Sequence, residues 1–104
     1  MAKLSPFAQK VIKGLNKIPS GKIVTYASLA RAINHPKSYR AVGNVLNKNP
    51  FAPVVPCHRV IKSDGRIGGY NQGADKKIKL LEQEGIKIKN NRVENLEEIL
   101  YKFK

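Results

Sequence analysis

The only cysteine in this 104-residue chain, Cys57, lies in a Pro-Cys-His-Arg stretch next to one of only two histidines. A single cysteine forms no internal disulfide, and one cysteine with two histidines is too few ligands for a zinc site, so we expect no metal. A nucleophilic thiol is the remaining chemical role. The positive groups of His58 and Arg59 favour it, because neighbouring cations lower a thiol pKa from roughly 8.5 toward neutrality.

The main alternative for Cys57 is a small, buried, unreactive apolar side chain, which is the commonest role of a lone cysteine. Adjacent residues of an extended strand also point to opposite faces, so His58 reaches Cys57 only through a turn or a bridging water. The stretch therefore predicts a nucleophile whose basic partner acts indirectly.

The charge of the chain is strongly positive and unevenly distributed. Twenty Lys and Arg against seven Asp and Glu give a formal net charge of +13 at pH 7. Residues 1–63 contain eleven basic residues and no acidic one. A solvated lysine-rich surface is the simple alternative, but such surfaces usually interleave Glu with Lys. The acid-free half predicts a polyanionic partner, and nucleic acid is the first candidate.

The length fits one small domain, which we expect to span residues 1–104 with no further N-terminal domain. No apolar run approaches the roughly 18 residues of a membrane span, and Met1 leads directly into a polar, periodic segment rather than a signal peptide. We expect a cytoplasmic monomer, nucleoid-associated if the source is prokaryotic, without a cofactor and without a membrane partner.

The apolar periodicity of the first half predicts a mainly α α/β fold. Ser5 caps a first helix whose apolar stripe continues to Ile18. Thr25 caps a second helix over residues 26–33, and a third helix follows over residues 38–47. Two short helices joined by a tight turn predict a winged helix-turn-helix-like DNA-binding domain, because the outer face of the third helix has bases and amides and no acid.

Short strands and helices are predicted for the second half. Residues 58–61 and 66–67 have the pattern of a small β-hairpin. A fourth helix is predicted over residues 74–84, a short edge strand over residues 86–89, and a last helix over residues 95–103.

Glu84 lies in the last turn of the fourth helix, just before the helix stop at Gly85. Negative charge is unfavourable at this end of the helix dipole. We therefore expect a cationic or hydrogen-bonding partner for this carboxylate.

Several motifs follow one another at consistent spacing. They are Tyr26, Arg40, Asn49-Pro50, Pro56-Cys57-His58-Arg59-Val60, Gly68-Gly69-Tyr70 and Glu84-Gly85. The set resembles the active-site domain of the O6-alkylguanine-DNA alkyltransferases, over roughly residues 5–88. The resemblance implies DNA repair by direct, stoichiometric transfer of an alkyl group, such as methyl, from O6-alkylguanine in double-stranded DNA to Cys57. Such a cysteine S-methyltransferase acts once.

The resemblance also assigns the reacting groups. Cys57 is the nucleophile, His58 holds the water that activates it, and Glu84 orients His58. Tyr26 and Tyr70 border the substrate pocket.

Two further substrate contacts are implied. The backbone at Cys57 and Val60 reads the edge of the guanine. Asn71 follows the pocket tyrosine where the family often has Ser, and it keeps a donor to an oxygen; the Asn71-Gln72 pair changes the expected width of the pocket.

The DNA contacts implied by the resemblance lie on the helix-turn-helix. Tyr26 pushes the target nucleotide out of the duplex, and Arg40 fills the gap left in the base stack. Gly43 allows the recognition helix a close approach to the minor groove, and Asn49 holds this helix to the active-site strand. The other predicted DNA-binding residues are Ser38, Tyr39 and Asn44.

Three other functions remain open at the level of sequence. The single-domain alkyltransferase-like proteins carry Trp or Ala in place of the Cys; they bind lesions and pass them to excision-repair proteins. A winged-helix regulator would recognise one duplex sequence irrespective of damage, with Cys57 structural. A Cys-His hydrolase is a more distant alternative, because an acid-free surface matches no obvious neutral peptide substrate.

Overall fold

A computed structural model describes residues 5–48 and 56–103 of the chain. The first half contains α1 (Pro6–Leu15), β1 (Val24–Thr25), α2 (Tyr26–Ala32) and α3 (Tyr39–Asn47). The second half contains a 3-10 turn (Cys57–Arg59), β2 (Val60–Ile61), α4 (Ala74–Gln83), β3 (Ile88–Lys89), β4 (Arg92–Val93) and α5 (Leu96–Ile99). The predicted mainly helical α/β architecture is confirmed.

The first two helices begin at the capping residues that the sequence indicates. The Ser5 side chain accepts a hydrogen bond from the backbone N–H of Ala8 at 3.1 Å, and Pro6 occupies the first helical position. At the start of α2, the side chains of Thr25 and Ser28 each accept a hydrogen bond from the other's backbone N–H, at 3.1 and 3.0 Å. This reciprocal cap fixes where α2 begins, directly after β1.

Strands β1 and β2 pair in parallel and separate two apolar clusters. Val24 pairs with Val60, and both belong to the cluster formed by α1, α2 and α3. Ile23 and Ile61 belong to a second cluster with Leu81 of α4. Successive strand residues point to opposite faces, so two short strands serve both clusters.

The hairpin predicted for residues 58–61 and 66–67 is wrong. Residues 57–59 form a 3-10 turn, and only Val60–Ile61 is extended, where it pairs with β1 rather than with residues 66–67. The hairpin of the described residues is the antiparallel pair β3 and β4. Its first strand falls within the predicted edge strand over residues 86–89.

The last helix, predicted over residues 95–103, is also wrong in extent, because α5 ends at Ile99. After it, Leu100 bridges to Ile23, and the Tyr101 N–H donates to the Ile23 carbonyl at 2.7 Å. The tail thus extends along the open edge of β1, where backbone groups need partners. Asn95, which precedes α5, has φ 56° and makes no side-chain cap hydrogen bond.

None of the helices within residues 5–48 and 56–103 is long and apolar enough to cross a bilayer.

The helix caps supply a matched pair of stability variants. Thr25→Ala removes the side-chain acceptor at the start of α2 and should lower the free energy of unfolding by about 1 kcal/mol. Ser38→Ala changes the corresponding position of α3, where the side chain makes no cap hydrogen bond, and should cost much less. Urea unfolding of the two variants measures the difference, and equal losses would show that the α2 cap contributes nothing of its own.

Candidate functional site

The Cys57 segment is a tight turn that presents three successive functional side chains. The Arg59 N–H donates to the Pro56 carbonyl at 3.0 Å and closes a single 3-10 turn. Cys57 and His58 are only 3% and 2% exposed. Because a 3-10 turn has about three residues per turn, adjacent side chains diverge by roughly 120° rather than pointing to opposite faces. The prediction of an extended strand from residue 58 did not include this turn, which places both side chains inside the protein.

Glu84 joins this turn to the end of α4. Its Oε2 lies 2.8 Å from His58 Nε2, and Arg59 donates to it through Nε at 2.8 Å to Oε1 and Nη2 at 2.7 Å to Oε2. A third guanidinium donor, Nη1, reaches the Ile18 carbonyl at 2.7 Å. The partner predicted for the carboxylate at this helix end is present in both His58 and Arg59, and the Gly21 N–H also donates to Oε1, at 3.4 Å.

The charges around Glu84 divide between one ion pair and one neutral hydrogen bond. Burial alone would raise the pKa of Glu84, but hydrogen bonds from Arg59 and His58 and their charges outweigh it and lower this pKa. Burial lowers the pKa of His58, and the opposing hydrogen bond and charge of Glu84 do not restore it. At pH 7 the imidazole is therefore neutral, and Arg59 carries the charge that pairs with Glu84.

The neutral His58 has one nitrogen available for chemistry. Because Glu84 is an acceptor only, Nε2 must carry the hydrogen of the 2.8 Å bond, which leaves a lone pair on Nδ1. Nδ1 is buried and makes no hydrogen bond to the described residues. A buried lone pair on an imidazole oriented by a carboxylate is the arrangement of a general base.

Two tyrosines pack against the cluster that contains Cys57. Burial and then the charge of Cys57 raise the pKa of Tyr26, and in the same order they raise the pKa of Tyr70 to about 12. The Tyr70 hydroxyl lies near enough to interact with the thiol, yet within the described part of the chain it has no hydrogen bond of ordinary geometry. Its ring stands edge-on to His58, with ring centroids 6.5 Å apart. Both tyrosines are protonated at neutral pH and hence able to donate a proton.

Tyr26 also approaches the backbone of the loop before Tyr70. Gly68 has φ 73°, and a Cβ built on it would lie 3.2 Å from the Tyr26 hydroxyl. A larger residue there would be strained and would press against this hydroxyl. Gly68 thus lets the loop close over Tyr26.

A cavity of about 530 Å³ opens between α2, α3 and the turn after β2. Tyr26, Tyr39 and Gly43 line it, together with the exposed Lys62 and Ser63. Tyr39 is the exposed large apolar side chain of the described residues, at 48%. The cavity therefore combines two aromatic rings with a cation and a hydroxyl, and it borders both helices of the helix-turn-helix.

The other predicted residues lie outside the cluster around Cys57. Arg40 and Asn44 are exposed on α3, and Ser38 is half-buried at its start. Asn71 is exposed in the loop before α4, and Asn49 lies outside the described residues. Their predicted roles in binding DNA or substrate remain predictions.

Val60 is buried, and both of its backbone polar groups have partners. Its N–H donates to the Cys57 carbonyl, and its carbonyl accepts a hydrogen bond from Lys77 Nζ at 2.7 Å. Its predicted contact with the guanine edge remains a prediction.

Sequence reasoning missed two residues of this site. Arg59 was noted only as a nearby cation, whereas it donates hydrogen bonds both to the Glu84 carboxylate and to the Ile18 carbonyl in the segment after α1. Lys77 was not singled out, although it is completely buried and donates to three backbone carbonyls. Within the described residues, no three His, Cys, Asp or Glu side chains are grouped so as to hold a metal ion.

The family comparison bears directly on this site. The DNA-binding domain of the 6-O-methylguanine DNA methyltransferase family matches residues 6–86. The chain belongs to this family. The match includes the Cys57 turn, both helices of the helix-turn-helix and Glu84.

Individual relatives agree with the family assignment. A methylated-DNA--protein-cysteine methyltransferase of Methanosarcina mazei is 46% identical over 91 residues, which are 84% of this chain and 58% of the relative. The chain thus spans little more than half the length of the curated relatives it matches.

Two solved structures resemble the fold closely. Mycobacterium tuberculosis OGT in complex with DNA is 43% identical, with a TM-score of 0.77 over 79% of this chain and 51% of that one. S. pombe Atl1, in complex with damaged DNA containing O6-carboxymethylguanine, is 31% identical, with a TM-score of 0.85 over 98% of this chain and 100% of its own. The second match extends over nearly the whole chain.

The contacts of Glu84 predict a specific dependence of stability on pH. Glu84→Gln should lower the free energy of unfolding at pH 7 by roughly 2 kcal/mol, because a charged acceptor of two residues is lost. The lowered pKa of Glu84 means that its contribution is present above its usual pKa and disappears as the pH falls through the lowered value. The difference from the unsubstituted protein should therefore shrink in acid.

Glu82→Gln is the matched control, since Glu82 is exposed on the same helix. Urea unfolding between pH 7 and pH 3 should show a small and nearly constant difference for this control. A difference for Glu84→Gln that stays constant across the range would contradict the coupling. The neutral, buried His58 makes the unsubstituted protein and the Glu82→Gln control less stable in acid. The unfolded chain takes up a proton near the usual His pKa of about 6.5, whereas the folded chain takes it up only at lower pH.

Proposed function

We propose that this chain repairs alkylated DNA by transferring the alkyl group of O6-alkylguanine to Cys57. The observation that carries the proposal is the hydrogen bond between neutral His58 and Glu84 beside a buried cysteine. This is the set of nucleophile, base and orienting carboxylate that activates a weak nucleophile. The described domain contains all three members.

The reaction balances without a cofactor. His58 Nδ1 takes the thiol proton through a water, and the thiolate attacks the alkyl carbon. The bond between sulfur and carbon forms as the bond between carbon and O6 breaks, and its electron pair stays on the guanine. Tyr26 and Tyr70, both protonated at neutral pH, are the candidates to neutralise the leaving base. The product is S-alkylcysteine, and since a thioether is a poor leaving group the chain reacts once.

The substrate must reach Cys57 outside the base stack. The thiol is 3% exposed, and the alkylated oxygen of guanine is enclosed in a duplex, so the nucleotide must rotate out at a cost of a few kcal/mol. Arg40 and Tyr39 are exposed on α3, beside the cavity that Tyr26 shares. We assign the flipping to Tyr26 and the filling of the stack to Arg40. The net charge of +13 supplies the attraction for phosphates.

A second function is favoured by one observation. The similarity to Atl1, whose structure holds damaged DNA, extends over 98% of this chain, whereas the similarity to OGT extends over 79%. A protein that recognises the lesion without reacting, and presents it to excision-repair proteins, would have the same fold. The thiol of Cys57 beside the imidazole of His58 favours transfer.

The two functions differ in the mass of the protein after exposure to substrate. Incubation with a duplex oligonucleotide containing O6-methylguanine should add one methyl group per chain, on the peptide that contains Cys57. Cys57→Ala should bind the same duplex and remain unmodified. An unchanged mass together with tight, lesion-dependent binding would establish the recognition function instead, and sequence-dependent binding without regard to damage would contradict both.

The role of Arg40 separates flipping from chemistry. Arg40→Ala should slow transfer from the duplex by about tenfold or more, because only the duplex reaction requires compensation for unstacking. Reaction with the free base O6-benzylguanine should be nearly unaffected.

Arg31→Ala, an exposed arginine of α2, is the matched control for the loss of one positive charge. It should reduce the duplex rate only modestly, and that reduction should disappear at high salt. Equal effects of Arg40→Ala on the duplex and on the free base would remove Arg40 from the flipping role.

A further inference from the structure

Lys77 is the largest completely buried side chain of the described residues, with 0% exposure. It lies on α4, whose neighbouring Lys76 is exposed. Its ammonium group donates to the carbonyls of Val60 at 2.7 Å and Gly69 at 3.0 Å, and also to the carbonyl of Ile67. All three ammonium hydrogens are therefore used within the protein.

These three carbonyls belong to the segment that contains the thiol and to the loop that leads to Tyr70. Val60 follows the Cys57 turn directly, while Ile67 and Gly69 lie in the loop that leads to Tyr70. One backbone hydrogen bond, from the Lys62 N–H to the Arg66 carbonyl at 2.9 Å, closes the turn between the two segments, but they are not paired with each other as strands. Lys77 is thus a direct polar link between the end of the cysteine turn and the wall of the pocket.

Burying an ammonium group is costly unless it is fully compensated. An apolar side chain of similar length would fill the space that Lys77 occupies. The other buried residue of α4, Leu81, is such an apolar residue one turn later. The contacts of Lys77 offset much of this cost, but stability alone does not require a cation here. The charge itself is the property that an apolar residue could not supply.

The groups that face this charge are those of the candidate site. Lys77 Nζ lies 6.0 Å from the centroid of the Tyr26 ring. The charge of Cys57 raises the pKa of Lys77, and the charge of Lys77 lowers the pKa of His58. Tyr26 from α2 and Cys57 and His58 from the turn are the titratable groups that interact with it, and Glu84 is hydrogen-bonded to both His58 and Arg59.

We propose that Lys77 is a positioning residue of the alkyl-transfer site: its buried ammonium group holds the cysteine turn against the pocket loop and stabilises the thiolate form of Cys57. This inference rests on the proposed function, in which that thiolate is the nucleophile. An opposite charge close to an ionisable group in a low-dielectric site favours the ionised form. Burial lowers the pKa of Lys77 to about 8, so the amine still carries its charge at pH 7.

The test measures ionisation of the thiol without DNA. The rate of modification of Cys57 by iodoacetamide is followed by intact mass from pH 5 to pH 10, in the unsubstituted chain and in Lys77→Met. Loss of the charge should move the midpoint of the rate profile to higher pH and slow the reaction at pH 7 by about tenfold. Lys76→Met, which removes an exposed charge from the same helix, is the control and should leave the midpoint in place.

A second variant guards against loss of the fold. Lys77→Gln keeps amide donors for the carbonyls but has no charge, and thermal unfolding identifies which variants are folded. A folded variant of either kind with an unchanged midpoint would overturn the proposal, as would an equal shift in Lys76→Met. A shift confined to the Lys77 variants supports it.

The same measurement separates this inference from the proposed function. If the unsubstituted chain fails to accept a methyl group from DNA while the Lys77 variants still shift the midpoint, the repair function fails and the electrostatic role of Lys77 stands. If methyl transfer occurs and the midpoint does not move in the Lys77 variants, the repair function stands and the electrostatic role of Lys77 fails.

Discussion

The carboxylate of Glu84 is the contact on which the rest of the site depends. It accepts hydrogen bonds from His58 and, through two guanidinium nitrogens, from Arg59, and Arg59 in turn holds the Ile18 carbonyl. One side chain therefore connects the end of α4, the cysteine turn and the segment after α1. Since burial keeps His58 neutral, this connection also fixes which imidazole nitrogen carries the hydrogen. The orientation of the candidate base and the packing of three segments are consequently the same interaction.

The surroundings of the thiol and the cavity beside α3 share Tyr26. Its backbone begins α2, its ring lines the cavity beside α3, and its hydroxyl lies against Gly68 in the loop before Tyr70. Under the proposed repair function, the side chain that displaces the nucleotide therefore also packs against the cluster that contains Cys57. Lys77 Nζ lies 6.0 Å from the centroid of the same ring.

Sequence reasoning succeeded where the deciding interactions are local. The caps at Ser5 and Thr25 and the partner of Glu84 follow from short-range patterns and from helix electrostatics. It failed where the secondary structure depends on pairing with a segment far away in the sequence. Residues 60–61 and the tail after Ile99 both pair with the segment containing β1, and their own periodicity does not show this. Lys77 was missed because a lysine within a helix is normally solvated, and only the three carbonyls from other segments make its burial favourable.

A titration of product against protein tests the central claim most directly, that Cys57 is an activated nucleophile consumed by its own reaction. Increasing amounts of the chain are incubated to completion with an excess of duplex containing O6-methylguanine, and the restored guanine is counted. The account predicts a plateau of one guanine per chain, reached without cofactor and absent in Cys57→Ala. Continued turnover beyond one per chain, or no restored guanine at all, would contradict it.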